Sequence, residues 1–393
     1  MFILFKRTIM NITDKNYIEN GYTGLVNLGN TCFLNSCVQI LTHTVELHQI
    51  FKNSVVQTKI ETNRNTDDAR ILVEWKALTE LMWSGNGVVN PLKFVKTVHE
   101  VATRKNVEIF TGWAQNDVTE FLRFIVNCFH TAISRPVNVN MTGKPKTELD
   151  NMAIKCCELL KGIYKTEYSE IYEMFYGISV MEMKDSANKI CSQKPEHYFI
   201  VDLPIPDKGT RRIQPPTGGL RLMIPCSQNK EGSKTEAPSN NVVISDAITI
   251  FDCFDLFMQP ELLTGDNQWF NEKTGQKEDV TKRMYMWSFP KILIITLKRF
   301  AVNERGHISR INDLIECPLT NLDLSKYVEG YDKKKYVYEL YGVSNHSGNP
   351  SGGHYTSYIK TAKGWVHYND GHLEAIGEDK IVSPSSYCLF YKR

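Results

Sequence analysis

Cys32 closes a run rich in glycine and asparagine, Gly24-Leu25-Val26-Asn27-Leu28-Gly29-Asn30-Thr31, and opens an apolar helical pattern from Phe33 to Leu41. That order sets the thiol near a helix N-terminus, where unpaired amides and the macrodipole favour a thiolate, the nucleophilic form. The same residue also reads as one of ten thiols packed in a core. His354 follows Gly352-Gly353 and leads into a strand pattern, Tyr355 to Ile359; a second strand pattern starting at Trp365 ends at Asn369-Asp370. If those strands pair antiparallel, Asn369 comes beside the imidazole. A thiol, a base within reach of it and an acceptor that orients the base are what nucleophilic acyl transfer requires. A glycine-rich hairpin with a structural histidine has the same pattern.

A third group is Gln115-Asn116-Asp117-Val118-Thr119-Glu120-Phe121. Asp117 and Glu120 are three apart, so both carboxylates share one helix face and suit an arginine-bearing peptide. Spacing alone favours another role: Asp117 as N-cap and Glu120 as its capping-box partner.

The elements that must hold these residues divide along the chain. Val118, Phe121, Leu122, Ile125, Val126 and Phe129 recur at helical spacing and predict a helix from Asn116 to Thr131. Asn90-Pro91 starts another, and Ile71, Leu72, Trp75, Leu78 and Leu81 mark a third. Beyond residue 165 the pattern turns to strands: Tyr198–Ile205, Lys291–Phe300, Tyr336–Val343, Tyr355–Ile359, Trp365–Tyr368 and Tyr387–Tyr391. Residues 207–241, dense in Gly, Pro, Ser, Asn and Lys, are expected to form a mobile surface insertion between strands.

The 393 residues, 42% hydrophobic, suffice for a substantial core. A net charge of +2 argues against nucleic acid or an acidic membrane as main partner. The most apolar stretch, Ile292–Leu297, is too short to span a bilayer. Met1–Met10 is apolar but interrupted by Lys6 and Arg7, with no small-residue cleavage site, so no secretory signal is expected. The ten cysteines form no Cys-x-x-Cys pair and are expected to be reduced thiols, in cytosol or nucleus.

Taken together, Gly24 to Gln39, Gln115 to Phe121, Asp266-Asn267, Leu297-Lys298-Arg299-Phe300 and Tyr341 to Asp370 resemble the ubiquitin-specific proteases, papain-like cysteine deubiquitinases, in that family's order. The resemblance implies an α+β fold: an N-terminal extension over 1–20, then a catalytic domain over 21–393. Within it a helical thumb covers about 21–165, and a β-rich palm with β fingers covers about 166–393. It implies hydrolysis of the isopeptide or peptide bond after ubiquitin's C-terminal glycine. Cys32 matches the nucleophile, His354 the base, Asn369 the third triad member, Asp370 an assisting neighbour, and Asn27 an oxyanion-stabilising donor. Asp117 and Glu120 match positions that bind arginines of ubiquitin's tail; His346 and Tyr355 match the channel for its terminal Gly-Gly. The implied partners are ubiquitin and ubiquitinated proteins, and a monomer is expected. A silent ubiquitin-binding relative, or a protease for another ubiquitin-like modifier, would share the fold.

The chain departs from the family in the fingers. Many members hold zinc there with two Cys-x-x-Cys pairs; here the aligned positions are Asp185, Asn188, Asn271 and Thr274. Amides and a hydroxyl are poor zinc ligands, so neither metal nor cofactor is expected. Phe175, Phe199, Trp269 and Phe270 are expected to hold the finger strands instead.

Overall fold

In a computed structural model, the structure describes residues 19–207, 247–272, 274–302, 306–349 and 352–393. The expected extension and insertion therefore fall almost wholly outside the described residues.

The Cys32 segment folds as expected. Gly29 (φ +96°) and Asn30 (φ +58°) turn the chain through left-handed conformations that these two residue types tolerate best. Helix α1 (Cys32–Thr42) starts directly after that turn. Every residue of α1 is buried, so it is a central helix rather than an amphipathic surface one. Around it stand α2 (Val45–Lys52), α3 (Ser54–Thr62), α4 (Asp67–Trp83), α5 (Leu92–Arg104) and α6 (Val118–Ile133). Thr66 caps α4 by accepting the Ala69 amide, and the Asn90 side chain accepts the Leu92 amide where α5 begins. Phe51, Trp75 and Phe129 meet edge-on or tilted within this helical core. A short strand, β1 (Thr23–Leu25), pairs in parallel with β2 (Gly87–Val89) and pins the chain ahead of Cys32.

Helices continue past the expected boundary at 165. Helix α7 (Glu148–Glu167) carries a Thr147–Asp150 capping box, and α8 (Glu170–Phe175) follows. Met152 and Cys156 of α7 pack on Ile178, Val180, Tyr285 and Trp287. Those four residues lie on β3 (Gly177–Lys184) and β7 (Val280–Ser288). With β4 (Ile190–Tyr198) and β6 (Glu261–Leu263) these form the finger sheet, in the order β4-β3-β7-β6. The expected finger aromatics are thus corrected. Phe175 and Phe199 belong to the core around α1, and Phe270 is exposed; the sheet is backed by a helix instead.

The palm is an eight-stranded sheet. Its main path runs β12 (His372–Ile376), β11 (Gly364–Asn369), β10 (Gly352–Thr361), β9 (Val337–Asn349), β13 (Ser386–Lys392), β8 (Ile292–Leu297) and β5 (Ile200–Leu203). All these neighbours are antiparallel except β8 and β5. One face carries a second apolar core, which includes Leu293, Ile295, Val343, Leu389 and α9 (Ile250–Phe257). The other face receives α1, whose close approach needs a glycine: a Cβ on Gly342 would sit 3.0 Å from Ile40 Cγ2. The helical lobe and the sheet are therefore joined through the helix that begins with Cys32.

Candidate active site

Cys32 is the first residue of α1 and is 2% exposed. Thr31, just before it, uses its hydroxyl on the preceding turn, accepting the Leu28 amide at 2.9 Å, and not on the helix end. Backbone N–H groups of Tyr355, Phe33 and Cys32 itself favour the thiolate. Burial outweighs them, and Asp370 adds to it, so the thiol is pushed up from its ordinary value. Helix position favours the thiolate but does not by itself ionise a sulfur this dry, so the thiol proton is left for a base to take.

His354 projects from β10 near the end of its pairing with β11. Its Nε2 lies 2.7 Å from Asn369 Oδ1, and Asp370 Oδ2 is 3.9 Å from the same nitrogen. An amide oxygen accepts, so Nε2 carries the hydrogen and Nδ1 keeps its lone pair. Among the described residues no hydrogen bond joins the Cys32 thiol to the ring, a looseness common in sites without substrate.

Asp370 follows Asn369 in a left-handed conformation, φ +50°. Its carboxylate accepts Asn27 Nδ2 at 3.0 Å and Asn35 Nδ2 at 2.8 Å, and its carbonyl accepts the Leu25 amide at 2.9 Å. The next residue, Gly371, lies so close to Gly24 that a Cβ on Gly24 would come within 2.7 Å of its backbone. Asp370 thereby clasps the Cys32 segment to the His354 segment. The exposed Asn27 side chain also accepts the Gly29 amide (3.0 Å) and the Thr31 amide (3.1 Å), which fixes its orientation beside the start of α1.

Asp117 caps α6: its Oδ1 accepts the amides of Thr119 (2.7 Å) and Glu120 (3.3 Å) and the Thr119 hydroxyl. Its Oδ2 accepts the hydroxyls of Tyr387 (2.7 Å) and Tyr355 (3.2 Å), tying the helical lobe to the palm. Only half of the expected capping box forms, because the exposed Glu120 side chain does not return to Asp117. His346 is 4% exposed, and its ring stands 4.6 Å from that of Tyr355. Arg310 donates to its Nδ1 at 2.9 Å, and burial with this cation holds the imidazole down at about 4.

Four contributors were not singled out from the sequence. Asn35 and Gln115 lie inside the quoted motifs; the Gln115 amide bonds both the N–H (2.8 Å) and the C=O (2.6 Å) of Gly353. Arg310 and Tyr387 carry no spacing signal and reach the site only through tertiary contact.

In the fingers, no group of three or more metal-ligating side chains occurs among the described residues. Asn271 and Thr274 both donate to the Glu278 carboxylate, at 3.0 and 2.7 Å, and hold it below its ordinary range. Asp185 accepts the Lys189 amide within the facing turn. These positions do not fit a tetrahedral zinc site.

A family model described as ubiquitin carboxyl-terminal hydrolase matches residues 23–391. Ubiquitin carboxyl-terminal hydrolase 2 of Homo sapiens is 28% identical over 381 residues, which cover 95% of this chain and 55% of that protein. Its Gallus gallus counterpart is 28% identical over 384 residues, covering 95% and 94%. Ubiquitin carboxyl-terminal hydrolase 21 of Bos taurus is 27% identical over 393 residues, covering 95% and 62%. The chain spans about half the length of the mammalian hydrolase 2 relatives. Among solved structures, the SAGA DUB module bound to ubiquitin aldehyde contains a chain matched at TM-score 0.64 and 20% identity, with 96% of this chain and 70% of that chain covered. The same module bound to monoubiquitin matches at TM-score 0.64 and 19% identity, over 95% and 69%. That likeness carries the fold: α+β, papain-like, with helical and sheet lobes meeting at α1.

Proposed function

The chain belongs to the ubiquitin carboxyl-terminal hydrolase family, and from that premise we propose that it is a thiol-dependent deubiquitinase. It hydrolyses the isopeptide or peptide bond after ubiquitin's C-terminal glycine. The reading rests above all on one observation: Asn369 Oδ1 lies 2.7 Å from His354 Nε2, on the strand whose next residue, Tyr355, turns its backbone N–H toward the Cys32 sulfur.

The chemistry follows from those groups. At rest the buried thiol keeps its proton. When the glycine carbonyl arrives, His354 Nδ1 takes that proton while sulfur attacks the carbonyl carbon. Asn369 holds Nε2–H and so the ring. Asn27 Nδ2 has two hydrogens; one is given to Asp370, and the second serves the developing oxyanion. The imidazolium then protonates the departing lysine amine, leaving a thioester. Water attacks it, giving a proton to His354, and the thiol re-forms as ubiquitin's carboxylate leaves. Glu120, exposed and outside the cap, is the carboxylate open to arginines of the tail, while Asp117 supports Tyr355 beside it. His346 and Tyr355 line the channel for the terminal glycines.

We also propose that it works as a monomer, in cytosol or nucleus; for the compartment the support is that the nine described cysteines are free thiols, which suit a reducing environment. The test is incubation with ubiquitin bearing a C-terminal electrophile, followed by mapping of the adduct. An adduct on Cys32 with turnover of a ubiquitin–fluorophore conjugate is expected. Binding without adduct would mean a silent relative. Reaction only with another modifier's probe would move the specificity.

A further inference from the structure

The hairpin Phe300–Val302 and Ile308–Arg310 ends beside His346, and its last residue takes hold of that histidine. The half-buried Arg310 guanidinium donates through Nη1 to His346 Nδ1 at 2.9 Å and through Nη2 to the His346 carbonyl at 2.7 Å. A further bond reaches Pro384 O at 3.3 Å, Nε donates to Asn312 Oδ1 at 3.1 Å, and the guanidinium carbon lies 5.5 Å from the Phe300 ring centre. A guanidinium has only donors, so the ring nitrogen facing it must be the unprotonated one. The ring hydrogen is then on Nε2. That nitrogen faces the backbone of β10: a Cβ built on Gly353 would come within 2.3 Å of it. Among the described residues no protein acceptor is bonded to it. The Tyr355 and Tyr387 rings flank the imidazole at 4.6 and 5.8 Å between centres.

We propose that Arg310 is a positioning residue for substrate: it locks His346 as a neutral imidazole whose Nε2–H, held over Gly353, is offered to a peptide carbonyl of the modifier's C-terminal tail. This rests on the deubiquitinase reading of the same cleft. The charged and titratable groups facing His346 are Arg310 from the hairpin, Asp117 from the start of α6, and His354 and Tyr355 from β10, with Tyr387 from β13. Asp117 favours a charged ring; burial and Arg310 oppose it and prevail. The channel thus stays uncharged at this point through the neutral range, which suits a tail carrying arginines.

Two variants test this. Arg310→Met removes the fork and the cation, together with the guanidinium contact on Phe300, but keeps an unbranched side chain of similar reach. Arg310→Lys keeps the cation and loses the fork. In the unaltered protein, nitrogen NMR of labelled histidine should report Nδ1 bare and Nε2 protonated, unchanged from pH 8 to 5.5. In Arg310→Met the two tautomers should mix. KM for a ubiquitin–fluorophore conjugate should rise about fivefold, the value of one hydrogen bond, with kcat held. That rise should grow as pH falls from 8 to 6, because a ring freed of Arg310 charges more easily. Arg310→Lys should raise KM less and show no such growth. A proton on Nδ1 in the unaltered protein, or a folded Arg310→Met with unchanged KM, overturns the proposal. If Arg310→Met fails to fold, Arg310→Lys with an unchanged tautomer balance and unchanged KM overturns it as well. If the unaltered protein turns over no conjugate, the enzymatic reading fails, and the tautomer measurement still decides whether Arg310 sets the ring.

Discussion

At the scale of single residues, the dryness of Cys32 sets the terms of the proposed chemistry. A thiol pushed up by burial needs its base at the moment of attack. Cys32→Ser should therefore lose at least about a thousandfold in turnover while keeping ubiquitin affinity, since a hydroxyl is the weaker nucleophile in the same space. Cys37 lies on the same helix, fully buried and pushed still higher, so it packs. Cys37→Ala should cost on the order of 1 kcal/mol of stability and leave turnover present. Persistent hydrolysis by Cys32→Ser, or its loss in a folded Cys37→Ala, would overturn the pairing. Asn369 and Asp370 divide differently. Asn369 touches the ring, whereas Asp370 spends its carboxylate on Asn27 and Asn35. Asn369→Ala should cut kcat about a hundredfold with little change in melting temperature. Asp370→Ala should lower melting temperature by several degrees as the clasp opens, with a smaller loss of kcat. Abolished turnover in Asp370→Ala beside an unaffected Asn369→Ala would reverse the assignment.

At the scale of elements, the N-terminus of α6 is a joint between lobes. Asp117 caps the helix with one oxygen and anchors two palm tyrosines with the other. Removing it in Asp117→Ala should cost about 2 kcal/mol, the upper end for a cap, and be read in urea denaturation. Glu120 does not share that work, so Glu120→Ala should raise KM for ubiquitin conjugates at unchanged stability. A lowered denaturation midpoint with unaltered kinetics in Glu120→Ala would restore the capping-box role. The finger tip is a second such element. Its turn is closed on Glu278 by an amide and a hydroxyl, and the sheet behind it leans on α7. Purified protein should contain less than stoichiometric zinc, and hydrogen exchange in β3 and β7 should be unchanged by a chelator. One zinc per chain, or faster exchange there on chelation, would contradict this.

At the scale of the molecule, buried histidines link stability to pH, His43 and His346 most strongly; burial lowers His130 and His48 as well. His43 and His346 are both held at about 4, in each case chiefly by burial. Unfolded, each takes up its proton near the ordinary histidine value of about 6.5. Between these limits the unfolded chain binds more protons, so stability falls as pH falls. Going from pH 7 to 5 should cost on the order of 2 kcal/mol for each histidine, seen as a lower urea midpoint. His43→Gln should remove its own share of that slope, about 2 kcal/mol between pH 7 and 5. Equal midpoints for the unaltered protein at pH 7 and 5 would refute the linkage. His43 sits between Gln39 of α1 and Tyr368 of β11, so this loss would loosen the contact that joins the lobes.

What the sequence alone determined is what local periodicity and turn chemistry encode. The helix after Cys32, the helix expected over Asn116–Thr131 and found two residues later at Val118–Ile133, and the palm strands follow from apolar spacing. The Gly29-Asn30 turn follows from residues that tolerate positive φ. Antiparallel pairing of the last strands follows too, because a short connection between them allows little else. The tertiary structure alone decided matters that depend on distance through space. Burial, a property of everything packed around α1, raised a thiol that its helix position favours ionising. Asp117 gained a second role because Tyr355 and Tyr387 arrive from strands far along the chain. Arg310 reached His346 across a separation of 36 residues, with no spacing to announce it. The finger core came from α7 because a sheet with one apolar face is covered by whichever element lies over it. Pattern along the chain encodes which way each side chain faces its own element; which partner it meets there is set only when elements from distant segments pack.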